Sequence, residues 1–446
     1  MIFFVTNHLT PRLEYVVSFL FSNVYDVDIQ FIQPEEYDSA QSGIIFYGVE
    51  VPVPIPSQFV FVPRHQIMLE KEIKKQNITI IQDMKSGFPY FFEGEHKNDQ
   101  KWPFDIFSMI FYLLSRYEEY LPHDKDEYGR YKASQSLAYR NQFLDIPLID
   151  FWLQNFVSSF DWLKKECVKK NQTFAINPTI DIDSVWAFAF KGVRQWKGVI
   201  KDIFLGRFRN LKFRWESHHQ PNLDPFFSFN YLENLFLDSG QHPLFFILYA
   251  KNPNEKDINH NRHHKEFNDW LVDFSQKHTV GIHPSFQSHQ SLDDLVEEKT
   301  ALEKRLGKKI SMSRQHYILL NLPESYRRLI SAGIQQDYSM GYPEKIGYRA
   351  STGYSFFWYD LEKEETTKLK IFPFQVMDVT LKKYMGYSPT SAIHKIKDMI
   401  SLSKEVNSPI RLIWHNSSFF HGFGWKNWEK VLEFMLKEDN KKDNIS

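Results

Sequence analysis

Three apolar runs far apart in the chain each end on side chains that can bind a metal or move a proton. This repetition constrains the fold more than any other feature. Ala175-Ile176-Asn177-Pro178-Thr179-Ile180-Asp181-Ile182-Asp183 ends on two carboxylates. Thr279-Val280-Gly281-Ile282-His283 ends on a histidine, followed by Pro284 and Ser285, and Ile410-Arg411-Leu412-Ile413-Trp414-His415 ends on another. Short runs rich in β-branched residues read as strands. In parallel α/β architectures, chemistry gathers where the C-terminal ends of strands meet.

The paired acids carry the sharpest signal. Alternation along a strand points Asp181 and Asp183 to one side. Two like charges so close are costly to bury without a cation, a proton or strong donors. Capping a helix or pairing with Arg314 would account for one of them, seldom both. Two carboxylates and two imidazoles at strand ends supply metal ligands, a base and an acid, the inventory of a hydrolase.

Around these runs the pattern alternates strand and helix. Leu244–Leu248 is a continuous apolar run, as in a strand buried on both faces. A helix is expected from about His264 to Gln276. Ser291 is a cap signal for a second, with Leu292, Leu295, Val296, Lys299, Leu302 and Leu306 on one stripe. Ile310–Ser313 reads as a strand leading into Arg314. Pro323 opens a helix that Gly333 closes. Phe372–Asp378 is a further strand ending in an acid, and Thr390 or Ser391 caps a helix to about Val406. The fold class is therefore α/β, a distorted or incomplete (β/α) barrel.

Before residue 170 the pattern differs. Ile44–Tyr47, Phe59–Val62 and Ile78–Ile81 read as strands, and Phe104 to Leu121 as a helix. The charged end of that helix, Ser115–Tyr120, reads as a solvated face or a domain contact. The polar run Lys164–Gln172 leads into a linker. At 446 residues the chain suggests two domains. The division falls between an N-terminal mixed α/β domain, 1–172, and a barrel, 173–446.

These residues give the chain a family resemblance. Thr179-Ile180-Asp181-Ile182-Asp183 resembles the first motif of the polysaccharide deacetylases (the NodB-homology, or carbohydrate esterase family 4, group). The resemblance implies that Asp181 is the catalytic base and Asp183 a metal ligand. His283-Pro284-Ser285-Phe286-Gln287 resembles the second motif, His-Ser/Thr-x-x-His, with Gln287 where its second histidine would fall. Ser313-Arg314-Gln315-His316 is similar to the third, whose arginine orients the base. Leu412-Ile413-Trp414-His415 is similar to the last, which supplies the general acid, with one residue more between leucine and histidine. The likeness covers roughly the last 270 residues. It implies a deacetylase-type barrel, a divalent metal (zinc, with cobalt or nickel as alternatives) and an N-acetylated glycan or glycan precursor as substrate. Ser285, Arg349 and Trp414 are its candidate substrate-binding residues. Residues 104–150 look like the domain of unknown function that precedes such barrels.

Gln287 leaves the ligand set open. Catalytic zinc commonly takes three protein ligands plus water, and Asp183 and His283 make two. His316 and His289 are the candidates for the third, with the Gln287 amide a weaker one. A site without metal would instead make the chain a silent glycan-binding or scaffold protein, and a narrow site would suit a small non-sugar amide. Asp378 is a candidate partner for a histidine, whereas Arg349 could instead pair with Asp337 or Asp378. His218, His219, His260, His263 and His264 sit in polar loops, where a solvated or helix-face role is expected rather than ligation.

Composition limits the partners. A net charge of −1 argues against a general nucleic-acid binder, and the single cysteine, Cys167, excludes an intrachain disulfide or cysteine-based metal cluster. No apolar stretch approaches the ~20 residues that span a bilayer, and the first residues lack the layout of a signal peptide. A cytoplasmic protein acting on a biosynthetic intermediate is expected. Residues 191–214 carry eight Lys/Arg against one acid, Asp202, with apolar residues at helical spacing. They read as a helical insert packed on the barrel, or as a contact with the inner face of a membrane.

Overall fold

The structure is a computed structural model that describes residues 1–38, 41–50, 55–82, 87–94, 102–167, 173–420 and 423–440. The chain forms two compact units. Unit 1 comprises Met1–Phe174, Tyr348–Pro373 and Leu402–Ser408, and unit 2 comprises Ala175–Gly347, Phe374–Ser401 and Pro409–Ser446. The expected single division near 172 falls on residues 168–172, outside the described residues. The structure further assigns two later segments of the expected barrel to the N-terminal unit.

Unit 1 holds strands β1 (Ile2–Val5), β2 (Ile29–Ile32), β3 (Ile44–Tyr47) and β4 (Phe59–Val62), all parallel, in the order β2-β1-β3-β4. A short antiparallel pair follows, β5 (Ile81–Gln82) with β6 (Pro89–Tyr90). The expected strand 78–81 is thus reduced to its last residue. Asp105 starts a helix at Ile106 by accepting the backbone N–H of Ser108. That helix stops at Leu114, well short of Leu121, because Arg116 takes a left-handed conformation (φ 57°). The charges beyond it do not face solvent. Arg116, Glu118 and Glu119 are all buried, with Arg116 donating to both glutamates at 2.9 and 2.8 Å.

Unit 2 carries β7 (Ile176–Ile182), β8 (Leu244–Leu248), β9 (Thr279–His283), β10 (Met312–Ser313) and β11 (Gln336–Asp337). The chain then forms an antiparallel hairpin in unit 1, β12 (Phe356–Asp360) and β13 (Glu365–Ile371), before returning to unit 2 with β14 (Val376–Met377) and β15 (Ile410–His415). The strands of unit 2 are parallel and run β11-β10-β9-β8-β7-β15-β14. Helices lie between them in sequence. Lys265–Lys277 precedes β9, and Leu292–Leu306 follows it, opened by the Ser291 side chain accepting from the Asp294 N–H. Glu324–Ser331 and Pro389–Glu405 precede β11 and β15.

Parallel crossovers bring every strand C-terminus of unit 2 to one edge of the sheet. Register then decides which side chains share a side. Asp181 sits opposite His415 of β15 and Phe246 of β8, and Leu248 sits opposite His283. Ser313 sits opposite Ile282, so Arg314 lies just beyond the end of β10. Gly281 is required here. A Cβ on it would come within 2.7 Å of the Phe246 ring and 2.9 Å of the Met312 carbonyl. The ring it admits lies under the Arg314 guanidinium, 4.6 Å from its centroid.

Candidate metal centre

Asp181 and Arg314 form the floor of the site. Both are buried, and Arg314 Nη1 donates to Asp181 Oδ1 at 2.9 Å and to the Thr179 hydroxyl at 2.6 Å. Arg314 Nε donates to the Tyr338 carbonyl at 3.1 Å. Burial pushes the guanidinium pKa down, opposed by the attraction of Asp181. With three bonds and an aromatic ring beneath it, the arginine holds the Asp181 carboxylate in one orientation.

Above this pair three acceptor atoms converge. Asp183, His283 and His316 each present one atom, and these atoms lie within 4.8 Å of one another. His283 Nδ1 donates to the Arg314 carbonyl at 2.6 Å, which leaves the Nε2 lone pair facing Asp183 Oδ1 at 3.4 Å and Asp181 Oδ2 at 3.9 Å. His316 Nδ1 donates to Asp257 Oδ1 at 2.9 Å, and its Nε2 faces Asp183 Oδ1 at 3.5 Å. With neutral rings, two lone pairs and a carboxylate oxygen thus point at one another. Asp183 Oδ1 is itself buried and has no hydrogen-bond partner among the described residues. An orphaned buried carboxylate oxygen costs free energy unless something positive meets it. The donor set is that of a divalent cation with three protein ligands, so these residues fit a metal ion. Burial opposes ionisation of Asp183, but the nearby His316, His283 and His415 imidazoles hold its carboxyl below the usual carboxylate range.

His415 is fixed differently. Its Nδ1 donates to Asp378 Oδ1 at 2.8 Å, and its backbone N–H donates to Asp378 Oδ2 at 2.9 Å. Burial alone would lower its pKa. Asp378, with Asp183 and Asp181 behind it, overcomes this and raises it to about 10. The ring is an imidazolium at neutral pH.

Sequence reasoning missed Asp257. It is buried in the loop after β8, and besides His316 it accepts from the Phe286 N–H at 2.7 Å. Those bonds keep its pKa down despite burial. A ligating histidine oriented by a carboxylate is a recurrent arrangement at metal sites. The available signal was position, an acid in a loop leaving the same strand edge as the other site residues.

Other expected residues lie elsewhere. Gln287 is exposed, and His289 Nε2 lies 3.3 Å from the Asn321 amide, outside the converging set. The Ser285 hydroxyl accepts from the Ser288 N–H and bonds Glu298, so it shapes its own turn. Trp414 pairs in register with Ile180, placing it on the opposite side of the strand from His415 and fully buried. Arg349 is buried in unit 1, where it donates to Glu119 at 2.9 and 2.6 Å. In the structure Ser285 thus bonds within its turn, Trp414 is buried, and Arg349 pairs with Glu119. His260 is also no loop residue in solvent. It is buried with Nε2 3.1 Å from the Ala189 carbonyl, and burial depresses its pKa to about 3.

Residues 2–165 match a family of unknown function (DUF7033). A search of curated proteins finds no match. Among solved structures, the chain is similar to a putative polysaccharide deacetylase from Mycobacterium smegmatis at 14% identity and a TM-score of 0.39, over 61% of this chain and 86% of that one. It is similar to a polysaccharide deacetylase from Bacillus cereus at 12% identity and 0.28, over 47% and 79%. It is also similar to the catalytic domain of a peptidoglycan N-acetylglucosamine deacetylase from Eubacterium rectale at 11% and 0.26, over 47% and 78%. At these identities and scores, none of the likenesses assigns an activity to this chain.

Proposed function

We propose that the chain is a divalent-metal-dependent hydrolase that removes an N-acetyl group from a sugar of a polysaccharide or its precursor. Its unit 2 would be a distorted (β/α) barrel of polysaccharide deacetylase type. The observation that carries this reading is the convergence of Asp183 Oδ1, His283 Nε2 and His316 Nε2 beside an arginine-held carboxylate. Zinc suits two imidazoles and a carboxylate, with cobalt or nickel as alternatives. A cation held there supplies Lewis acidity that polarises the acetyl carbonyl and favours ionisation of water. Asp181, oriented by Arg314, takes the proton from the attacking water. The His415 imidazolium, held by Asp378, gives its proton to the departing sugar amine. Asp257 keeps the His316 tautomer that aims Nε2 at the cation. A cytoplasmic location, with an N-acetylated precursor as substrate, belongs to the same proposal.

The silent-scaffold reading rested on Gln287 standing where a second histidine is expected. His316, from another strand end, would supply the third ligand, which favours the hydrolase reading. The test is acetate release from N-acetylated sugars by the metal-loaded protein, beside Asp181→Asn. Release by the parent and none by the variant is the expected result. Equal release by both would overturn the assignment.

A further inference from the structure

Directly after Asp183 the chain builds two helices, Val193–Phe204 and Phe208–His219, joined by a turn at Leu205-Gly206-Arg207. The side chains of Arg194 and Trp196 lie outside the described residues. The inner face of this pair is satisfied. Arg214 donates to Asp202 at 2.8 Å, Asn210 donates to the same carboxylate at 3.1 Å, and Arg214 lies over the Phe188 ring at 4.5 Å. Gly198 faces Arg214 so closely that a Cβ would collide with the guanidinium. Phe213 meets Phe420 edge-on at 4.7 Å, and Ser217 is buried.

The outer face is different. Ile200, Ile203, Phe204, Leu205, Phe208 and Trp215 are exposed by 56, 53, 86, 53, 70 and 65% respectively. Ile200, Ile203 and Phe204 fall at i, i+3 and i+4 on the first helix, and Phe208 and Trp215 at i and i+7 on the second. On each helix they share one face, and Phe204, Leu205 and Phe208 sit at the turn that joins the two. Lys197, Lys201, Arg207, Arg209 and Lys212 are exposed around it. Of the two acids of the hairpin, Asp202 is buried and paired with Arg214, and Glu216 lies 3.7 Å from Lys212. The expectation of an insert packed on the barrel therefore holds for one face only. Isolated exposed apolar residues are ordinary, but a contiguous patch rimmed by cations marks an interaction surface.

We propose that this helical hairpin docks on the surface of an anionic phospholipid bilayer, with Phe204, Leu205 and Phe208 in the acyl boundary and the basic side chains on the headgroups. Apolar residues at a turn flanked by Lys and Arg match both layers of a membrane interface at once. A second copy of the chain matches only one of them. A two-fold pairing would set the cations of one copy against those of the other. The inference goes beyond the hydrolase reading and does not depend on it.

Flotation of the full chain with vesicles tests it. Vesicles of phosphatidylcholine with phosphatidylglycerol should carry the protein, and vesicles of phosphatidylcholine alone should not. Phe204→Ser combined with Phe208→Ser should weaken binding by roughly tenfold or more, as should Lys201→Glu combined with Arg207→Glu. Both pairs are exposed, and unchanged metal content and melting temperature would show that the fold is intact. Failure of the parent to float with anionic vesicles would overturn the proposal, as would binding indifferent to both double variants. Self-association of the parent that is abolished by the serine variant, with no flotation, would assign the face to a second copy instead.

Discussion

Asp257 and His316 are joined by a 2.9 Å bond between a fully buried carboxylate and the imidazole nitrogen that faces away from the other site residues. The bond fixes the proton on Nδ1, and with it the lone pair on Nε2. Asp257→Asn should therefore lower metal affinity by about 10- to 100-fold while leaving the fold intact. Competition with a chelator, read by metal analysis of the recovered protein, measures this. Unchanged affinity would show that His316 needs no such partner.

The ligand set itself predicts about one divalent ion per chain in protein loaded and then freed of excess metal. Asp183→Ala, His283→Ala and His316→Ala should each lose it. His289→Ala should keep it, because His289 lies against Asn321. Retention by His316→Ala would return the third-ligand role to another group.

Arg314 and Asp181 predict a separation of binding from turnover. Asp181→Asn keeps the size of the side chain and removes the base, so acetate release should fall by about 10²- to 10⁴-fold with metal content unchanged. Arg314→Met leaves Asp181 without its buried partner. It should lower both activity and stability, the latter by about 3–5 kcal/mol, read from denaturant unfolding.

The histidine raised by Asp378 sets the alkaline limb. His415 titrates near pH 10 in the folded chain and near 6.5 when unfolded. As an acid catalyst it should sustain turnover through neutral pH and lose it as pH approaches 10. The sign for stability is the same. Its pairing contributes fully below about pH 6.5 and is lost as pH rises toward 10. Asp378→Asn should bring the alkaline limb of kcat down toward neutrality, which a pH–rate profile would show. An unmoved limb would remove His415 from the proton path.

Much of the site was legible because it obeys strand periodicity. Asp181, Asp183, His283 and His415 stand at the ends of recognisable strands, and alternation alone places both acids on one side. The same rule held the answer for Trp414, which must point opposite to its neighbour His415. What the sequence hid are pairings across long separations. Nothing near Arg349 announces Glu119, 230 residues earlier, and nothing in the polar loop after β8 marks Asp257 as the partner of His316. Burial decided Arg116, Glu118 and Glu119 as well. Charge on a helix end reads as solvated unless its counter-charges are known.

Those counter-charges make a prediction for unit 1. Arg349 and Arg116 both bond Glu119, whose pKa burial would raise but the two guanidiniums hold down to about 2. The pairing contributes stability above about pH 4.3, lost as pH falls toward 2. Arg349→Met should destabilise by about 3–5 kcal/mol, visible as a lower melting temperature. Metal content, measured well below the melting range, should not change.

The route of the chain has a consequence for heredity. The polypeptide passes between the two units at 174/175, 347/348, 373/374, 401/402 and 408/409. A gene segment beginning at residue 173 would encode all of unit 2 but also 348–373 and 402–408, severed from the sheet and helices of their own unit. Buried residues such as Phe356, Trp358 and Tyr359 would lose their surroundings. No single continuous segment of the gene therefore encodes either unit whole, and a single cut cannot separate the two cleanly.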